Sequence, residues 1–240
     1  MMNEKKINDF FKNVIIEETE KEKAKKSLFS KGITKHNIVK ERLLLWTDKE
    51  TIEYSEIAST YRYDKRIRLV LFKFISYLEE FYRSYILDNF SYNYNFLSQF
   101  KLLSQALIKA SNNLNSALEE IEFSTLLNII FAMNEKDKKI LGLPLDNHLK
   151  SNINALRAFR NAVMHNKFLL LYRGYEKCFV KGVDGGKSAS LKANILNLIQ
   201  FLPKEVGQKC KLEINNCSQD RNDDSDIKWN LPSVVLIQIA

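Results

Sequence analysis

The sequence predicts a mainly α-helical protein, a helical bundle with a small β appendage near its C-terminal part. Three observations predict this. Apolar residues recur at three- and four-residue intervals, most clearly at Ile67, Leu71, Phe74, Leu78, Phe81 and Tyr85. Seven glycines and three prolines in 240 residues are too few for an all-β sandwich or barrel, which needs turns every few positions. Hydrophobic residues make up 45% of the chain, enough for a sizeable core, and mixed charge with 11% aromatics excludes disorder throughout.

The elements follow in order. Lys5–Lys31 sets Glu17, Glu18 and Glu20 against Lys21, Lys23, Lys25 and Lys26, which reads as a solvated helix or a mobile arm. After Gly32, Thr34 is placed to cap a short helix running to about Trp46. The polar stretch Thr47–Thr60 reads as a connector with one turn of helix at most. From Asp64 to about Phe90 the apolar stripe predicts one long amphipathic helix, with Arg62, Lys65, Arg66, Arg68 and Lys73 crowding its first half. Leu97, Phe100, Leu103 and Leu107 give a weaker helical period over Phe96–Lys109. Glu122 or Ser124 opens a helix carrying Leu126, Leu127, Ile130 and Met133, and Gly142 with Pro144 ends that region.

Asp146 is a candidate cap for the next helix, which passes Leu149, Ile153, Leu156 and Val163 to about Phe168. Gly174, Gly182, Gly185 and Gly186 mark a loop or hairpin, with strand-like runs at Leu169–Tyr172 and Cys178–Val180. A helix over Leu191–Leu202 stops before Pro203. Lys211–Ile214 reads as a strand, Ser218–Asp226 as an acid-rich loop, and Pro232–Ala240 as a buried strand or extended tail. The expected organisation is a charged helical arm over residues 1–60, a helical domain over 61–202 with a hairpin insertion at about 169–186, and a C-terminal extension over 203–240.

A formal net charge of +8 favours polyanionic partners, nucleic acid before anionic membrane. No apolar run reaches the length of a membrane span, and Met1–Lys12 lacks the apolar region of a signal peptide, so no membrane partner and a cytoplasmic location are expected. Cys178, Cys210 and Cys217 fit no common zinc spacing; reduced, buried thiols and no metal or other cofactor are expected.

One motif carries chemistry. Arg157, Arg160, Asn161 and His165 lie in the run Arg160-Asn161-Ala162-Val163-Met164-His165, which interrupts an apolar helix where Arg and Asn pack poorly. Asn161 and His165, four apart, share a helix face. Arg160 points well round the helix, so only its long side chain brings the guanidinium towards the imidazole. A second, antiparallel copy of the helix would gather two Arg and two His in one basic cleft. Such a cleft suits RNA cleavage without metal. The 2′-hydroxyl is a built-in nucleophile, histidine serves as acid or base near neutrality, and arginine binds phosphate in bidentate fashion.

The Arg-Asn-x-x-x-His run resembles the R-x4-6-H signature of HEPN domains, and the wider pattern resembles the abortive-infection Abi-like proteins (the AbiD/AbiF group). Tyr61-Arg62-Tyr63-Asp64-Lys65-Arg66-Ile67-Arg68, leading to Tyr77-Leu78-Glu79-Glu80 and Arg83-Ser84, resembles a second family stretch, and Phe123-Ser124-Thr125-Leu126 a third, where the family often has Phe-Gly-x-Leu. The matches span roughly Tyr61 to Leu202. Met164 departs from the usual Ala, and Asn166-Lys167 replaces the usual continuation. The resemblance implies a HEPN-like helical bundle and a metal-independent endoribonuclease, dimeric through the motif helix, that leaves a 2′,3′-cyclic phosphate. Arg160 and His165 would be catalytic and Asn161 supporting. It also implies a role in phage defence or as a toxin, restrained by an antitoxin protein or a noncoding RNA. The alternative is a non-catalytic HEPN-like module that binds RNA or a toxin.

Each residue also has a plainer reading. Arg160 can be a helix-end arginine paired to an acid, and His165 a satisfied core histidine. Arg157, Lys167, Arg66 and Arg68 are candidate RNA contacts, yet a solvated helix face explains a basic cluster equally well. Tyr92, Tyr94 and Phe96 can stack bases, although packing is the better expectation. Glu79 and Glu80 can orient catalytic groups or pair with Arg83. His36 and His148 read as surface residues. Gly185-Gly186-Lys187-Ser188 is not a phosphate loop, because the first glycine of that motif would fall on Lys181.

Overall fold

A computed structural model describes residues 4–90, 93–181, 187–220 and 227–239. Tyr92, Gly182, Gly185, Gly186 and residues 221–226 of the acidic loop lie outside them. The described chain is mainly helical, as expected, and carries a small β appendage. It divides into two compact units, one reaching to Ile67 and taking in Ile214–Gln238, the other running from Arg68 to Glu213 with Ile239.

In the first unit α1 (Glu4–Phe11), β1 (Val14–Ile15), α2 (Glu18–Lys31), α3 (Ile33–Thr47) and β2 (Ile52–Glu53) precede α4 (Tyr54–Phe90). Residues 4–31 are not a detached arm. Phe10, Ala24 and Leu28 are buried, and α1 and α2 both pack on α3. The buried Lys40 ammonium donates to the Phe10 carbonyl at 3.0 Å, placing a cation at the C-terminal end of α1, where the helix dipole favours it. Gly32, not Thr34, precedes α3, with φ at +90°. The expected connector over 47–60 is instead a short parallel ladder, Val14 beside Ile52, followed by ten further residues of α4. Its buried stripe there is Tyr54, Ile57, Thr60, Tyr63 and Asp64, polar enough to disguise the helical period.

His36 is buried rather than superficial. Its Nδ1 meets the Gly32 carbonyl at 3.1 Å, and its ring stacks on Tyr61 at 4.7 Å. Burial holds the imidazole below its ordinary 6.5, helped by nearby Lys31 and opposed by the Gly32 hydrogen bond. The unfolded chain therefore takes up the proton first as pH falls. Stability from this site is intact above about pH 6.5 and declines below it. The thermal midpoint is expected to drop between about pH 7.5 and about pH 5.5, and by less in His36→Phe. Equal slopes in the two proteins would contradict this.

The second unit continues through α5 (Tyr94–Leu97), α6 (Lys101–Lys109), α7 (Leu114–Glu120), α8 (Phe123–Ala132), α9 (Glu135–Ile140) and α10 (Leu149–Met164). It then forms β3 (Cys178–Phe179), β4 (Lys187–Ser188), α11 (Leu191–Phe201) and all but the last two residues of α12 (Lys204–Asn215). Its core joins Leu71, Phe74, Leu78 and Tyr82 of α4, Leu126 and Ile130 of α8, Leu156 and Phe159 of α10, and Leu198 and Phe201 of α11. β3 and β4 pair antiparallel, Cys178 opposite Ser188. Leu169–Leu171 is a 3₁₀ turn, not a strand, closed by the Tyr172 N–H on the Leu169 carbonyl. Lys211–Ile214 is helical, not extended. Gly207, Cys210 and Ile214 form a buried three- and four-residue stripe while Leu212 faces outward. The three cysteines are buried and form no disulfide among the described residues, and burial pushes the Cys178 thiol up to about 11, where it is unreactive.

Two buried amides fix the appendage. Asn152 accepts from the Phe179 N–H at 2.7 Å and donates to the Phe179 carbonyl at 3.2 Å, completing the ladder from a helix. Asn197 of α11 donates to the Asn152 carbonyl at 2.8 Å. His148 is half-buried, stacked on Phe179 at 3.7 Å.

Candidate functional site

The motif sits on the last two turns of α10. Leu149, Ile153, Leu156, Phe159 and Val163 bury one face of this helix, which leaves Arg157 and Asn161 exposed on the other and Arg160 half-buried between. Asp146 does not cap the helix. Its carboxylate accepts from the His148 N–H at 2.8 Å in a turn just ahead of it.

The helix ends at Met164, earlier than the periodicity predicts, because Asn166 takes a left-handed conformation, φ +53°. The Lys167 N–H reaches the Ala162 carbonyl at 3.0 Å and the Asn166 N–H the Val163 carbonyl at 3.1 Å, the paired bonds of a Schellman turn. His165 is therefore the last residue before the turn, its side chain exposed. Arg68 donates to the Asn166 and Lys167 carbonyls at 2.9 and 3.4 Å, a cation at the negative end of the helix. Asn166→Val is expected to cost about 1–2 kcal/mol, since a β-branched residue resists this conformation, whereas Asn166→Gly should keep wild-type stability. Denaturant midpoints test the pair, and equal losses would contradict the account.

Arg157, Arg160, Asn161 and His165 line one cleft of about 320 Å³ together with Glu122, Phe123 and Ser124 from the start of α8. Arg160 and His165, five positions apart, thus line one solvent-open space. Arg160 is held from behind. Its Nε donates to Glu79 Oε1 at 2.8 Å, and its guanidinium lies over the Phe123 ring at 5.7 Å. One terminal nitrogen approaches Asn161 Oδ1 at 3.4 Å. Glu79 is buried and also faces Arg83 at 3.5 Å, so both readings of this acid apply: it pairs with Arg83 and it orients Arg160. The pairing occupies one of five guanidinium N–H donors, and the terminal nitrogens can still grip a phosphate oxygen pair.

The other predicted contacts are placed elsewhere. Lys167 is exposed but is not part of the cleft lining. Arg68 binds chain carbonyls as described. Arg66 donates to the Gln219 carbonyl at 2.8 Å and lies 4.4 Å from the Trp229 ring, so it is occupied within the first unit. Phe96 packs against Phe90 and Phe100, at 5.3 and 5.4 Å. Glu80 is exposed. Among the described residues no group of three or more His, Cys, Asp or Glu is placed to hold a metal ion.

Sequence reasoning took Glu122 and Ser124 as helix openers and missed them as cleft walls. Ser124 lies inside the Phe123-Ser124-Thr125-Leu126 stretch and Glu122 directly precedes it, a signal that speaks of neither as a cleft wall. No described helix is long and apolar enough to cross a membrane. Comparison with protein-family models, with curated proteins and with solved structures finds no match.

Proposed function

We propose that this chain is an endoribonuclease that cuts RNA at the Arg160–His165 cleft and works as a homodimer. The observation that carries the reading is one open cleft lined by an exposed imidazole, two arginines and an asparagine, with Arg160 oriented by Glu79. The Arg-Asn-x-x-x-His resemblance and the +8 net charge support it. The biological setting that goes with the resemblance is phage defence or a toxin restrained by an antitoxin protein or a noncoding RNA, in the cytoplasm.

The chemistry follows from what these groups can do. Arg160 grips the non-bridging oxygens of a phosphodiester and offsets the charge that grows on them as phosphorus becomes five-coordinate. An imidazole takes the proton of the 2′-hydroxyl while its oxygen bonds to phosphorus. The bond from phosphorus to the 5′-oxygen breaks, and that oxygen needs a proton in return. A second copy of α10 laid antiparallel would supply the second imidazole, as imidazolium, for that step. The products are a 2′,3′-cyclic phosphate and a free 5′-hydroxyl. The nucleophile is part of the substrate, so the route requires no metal.

The test is a single-stranded RNA and its 2′-O-methyl counterpart, each incubated with the full chain in EDTA. Cleavage of the RNA alone is expected. Cleavage of both would overturn the mechanism, and salt-sensitive binding with no product would favour a non-catalytic RNA-binding module.

A further inference from the structure

One residue of the cleft opposes anion binding. Glu122, the residue that opens α8, contributes an exposed carboxylate to the same lining as Arg157, Arg160 and His165. A phosphodiester held there meets it as a like charge, which weakens binding. Glu122 does not anchor Arg160, whose Nε is held by Glu79 from the buried side. Among the described residues no cation pairs with it; the Ser124 hydroxyl donates to its Oε2 at 3.2 Å. That bond fixes one oxygen and leaves Oε1 able to accept from a ligand.

An ionised carboxylate accepts through two oxygens and donates nothing. It therefore matches a ligand edge with two adjacent donors. Among the four RNA bases only guanine has one on its Watson–Crick edge, N1–H beside the 2-amino group. Adenine and cytosine set one amino donor beside an acceptor nitrogen, and uracil flanks its N3–H with two carbonyls. Unstacked bases of single-stranded RNA expose these edges. We propose that Glu122 is the specificity residue of the cleft and accepts from N1–H and the 2-amino group of a guanine flanking the phosphate on Arg160. The assignment rests on the ribonuclease reading, and the repulsion Glu122 imposes on the phosphate is then offset for one base only.

Binding of nucleoside 3′,5′-bisphosphates to the full chain tests this without cleavage. The guanosine compound is expected to bind about 5- to 100-fold more tightly than those of adenosine, cytidine and uridine. The inosine compound, which keeps N1–H and lacks the amino group, should fall between. Glu122→Gln should weaken the guanosine compound and tighten the other three. Ser124→Ala should lose part of the preference. A Glu122 serving only the dipole of α8 predicts that Glu122→Gln tightens all four by one factor and keeps their order; that result, or equal binding by the wild-type chain, overturns the proposal. No binding of any bisphosphate would overturn it along with the phosphate site. Cleavage beside all four bases alike would sink the guanine assignment and leave the ribonuclease reading standing. Guanine-selective binding by a chain that cuts no RNA would do the reverse.

Discussion

Replacing His165 with alanine is expected to reduce RNA cleavage by about 10²- to 10⁴-fold, the usual contribution of a positioned acid–base group, with almost no change in stability. The ring is exposed, and the helix end that carries it is built from backbone. The His165 N–H bonds to the Asn161 carbonyl at 3.0 Å, and the turn beyond depends on Asn166 and Lys167. Loss of the imidazole should therefore shift stability by no more than about 0.5 kcal/mol. Arg160→Ala should remove cleavage to a similar degree but cost more stability, since it leaves the buried Glu79 carboxylate with Arg83 alone. Arg160→Lys should not restore activity, because an ammonium cannot grip two phosphate oxygens in the planar way a guanidinium does. Cleavage rates set beside thermal midpoints decide the matter. A loss of activity that merely tracks unfolding would contradict the assignment.

Glu79→Ala is expected to be the most destabilising change around the cleft, by about 2–3 kcal/mol, somewhat less than breaking a fully buried ion pair costs. It strands two guanidiniums whose side chains are only 25% and 28% exposed. Arg83 keeps part of its satisfaction through the Leu118 and Ile121 carbonyls, at 2.9 and 3.3 Å. Arg160 loses its strongest anchor. Cleavage should consequently fall further than the unfolded fraction explains, although Glu79 acts through Arg160. Glu79→Gln keeps an acceptor for the Arg160 Nε and should recover part of both losses. Denaturant unfolding and single-turnover cleavage on the three proteins separate the two effects. Full activity in a folded Glu79→Ala protein would show that Arg160 needs no positioning.

The helical character and the motif helix were legible because they rest on local pattern. Ile67, Leu71, Phe74 and Leu78 declare their face by spacing alone, and all four are buried. Arg160 and His165 could be paired by counting positions on one helix. The rest of the cleft could not be found that way. Glu79 lies 81 positions from Arg160, and Glu122 and Ser124 arrive on another helix. Charge was the most misleading signal. Arg66, Arg68 and Lys40 look alike in the sequence to any RNA-binding cation, yet each donates to chain carbonyls. Buried polar residues misled in the same way. Thr60, Asp64, Asn152 and Asn197 sit in core positions, so a stripe defined by apolar residues alone misses the start of α4 and the anchor of the β3–β4 ladder. At the end of α10, Asn166 took the left-handed turn that glycine more often supplies, and the helix was expected to run on.

The most direct test is the chemistry of the cut ends. RNA treated with the wild-type chain in EDTA should carry 2′,3′-cyclic phosphate and 5′-hydroxyl termini, and the Arg160→Ala, His165→Ala double variant, assayed at a temperature where it is fully folded, should yield none. Fragments ending in 3′-hydroxyl and 5′-phosphate, or undiminished cleavage by the double variant, would contradict the account.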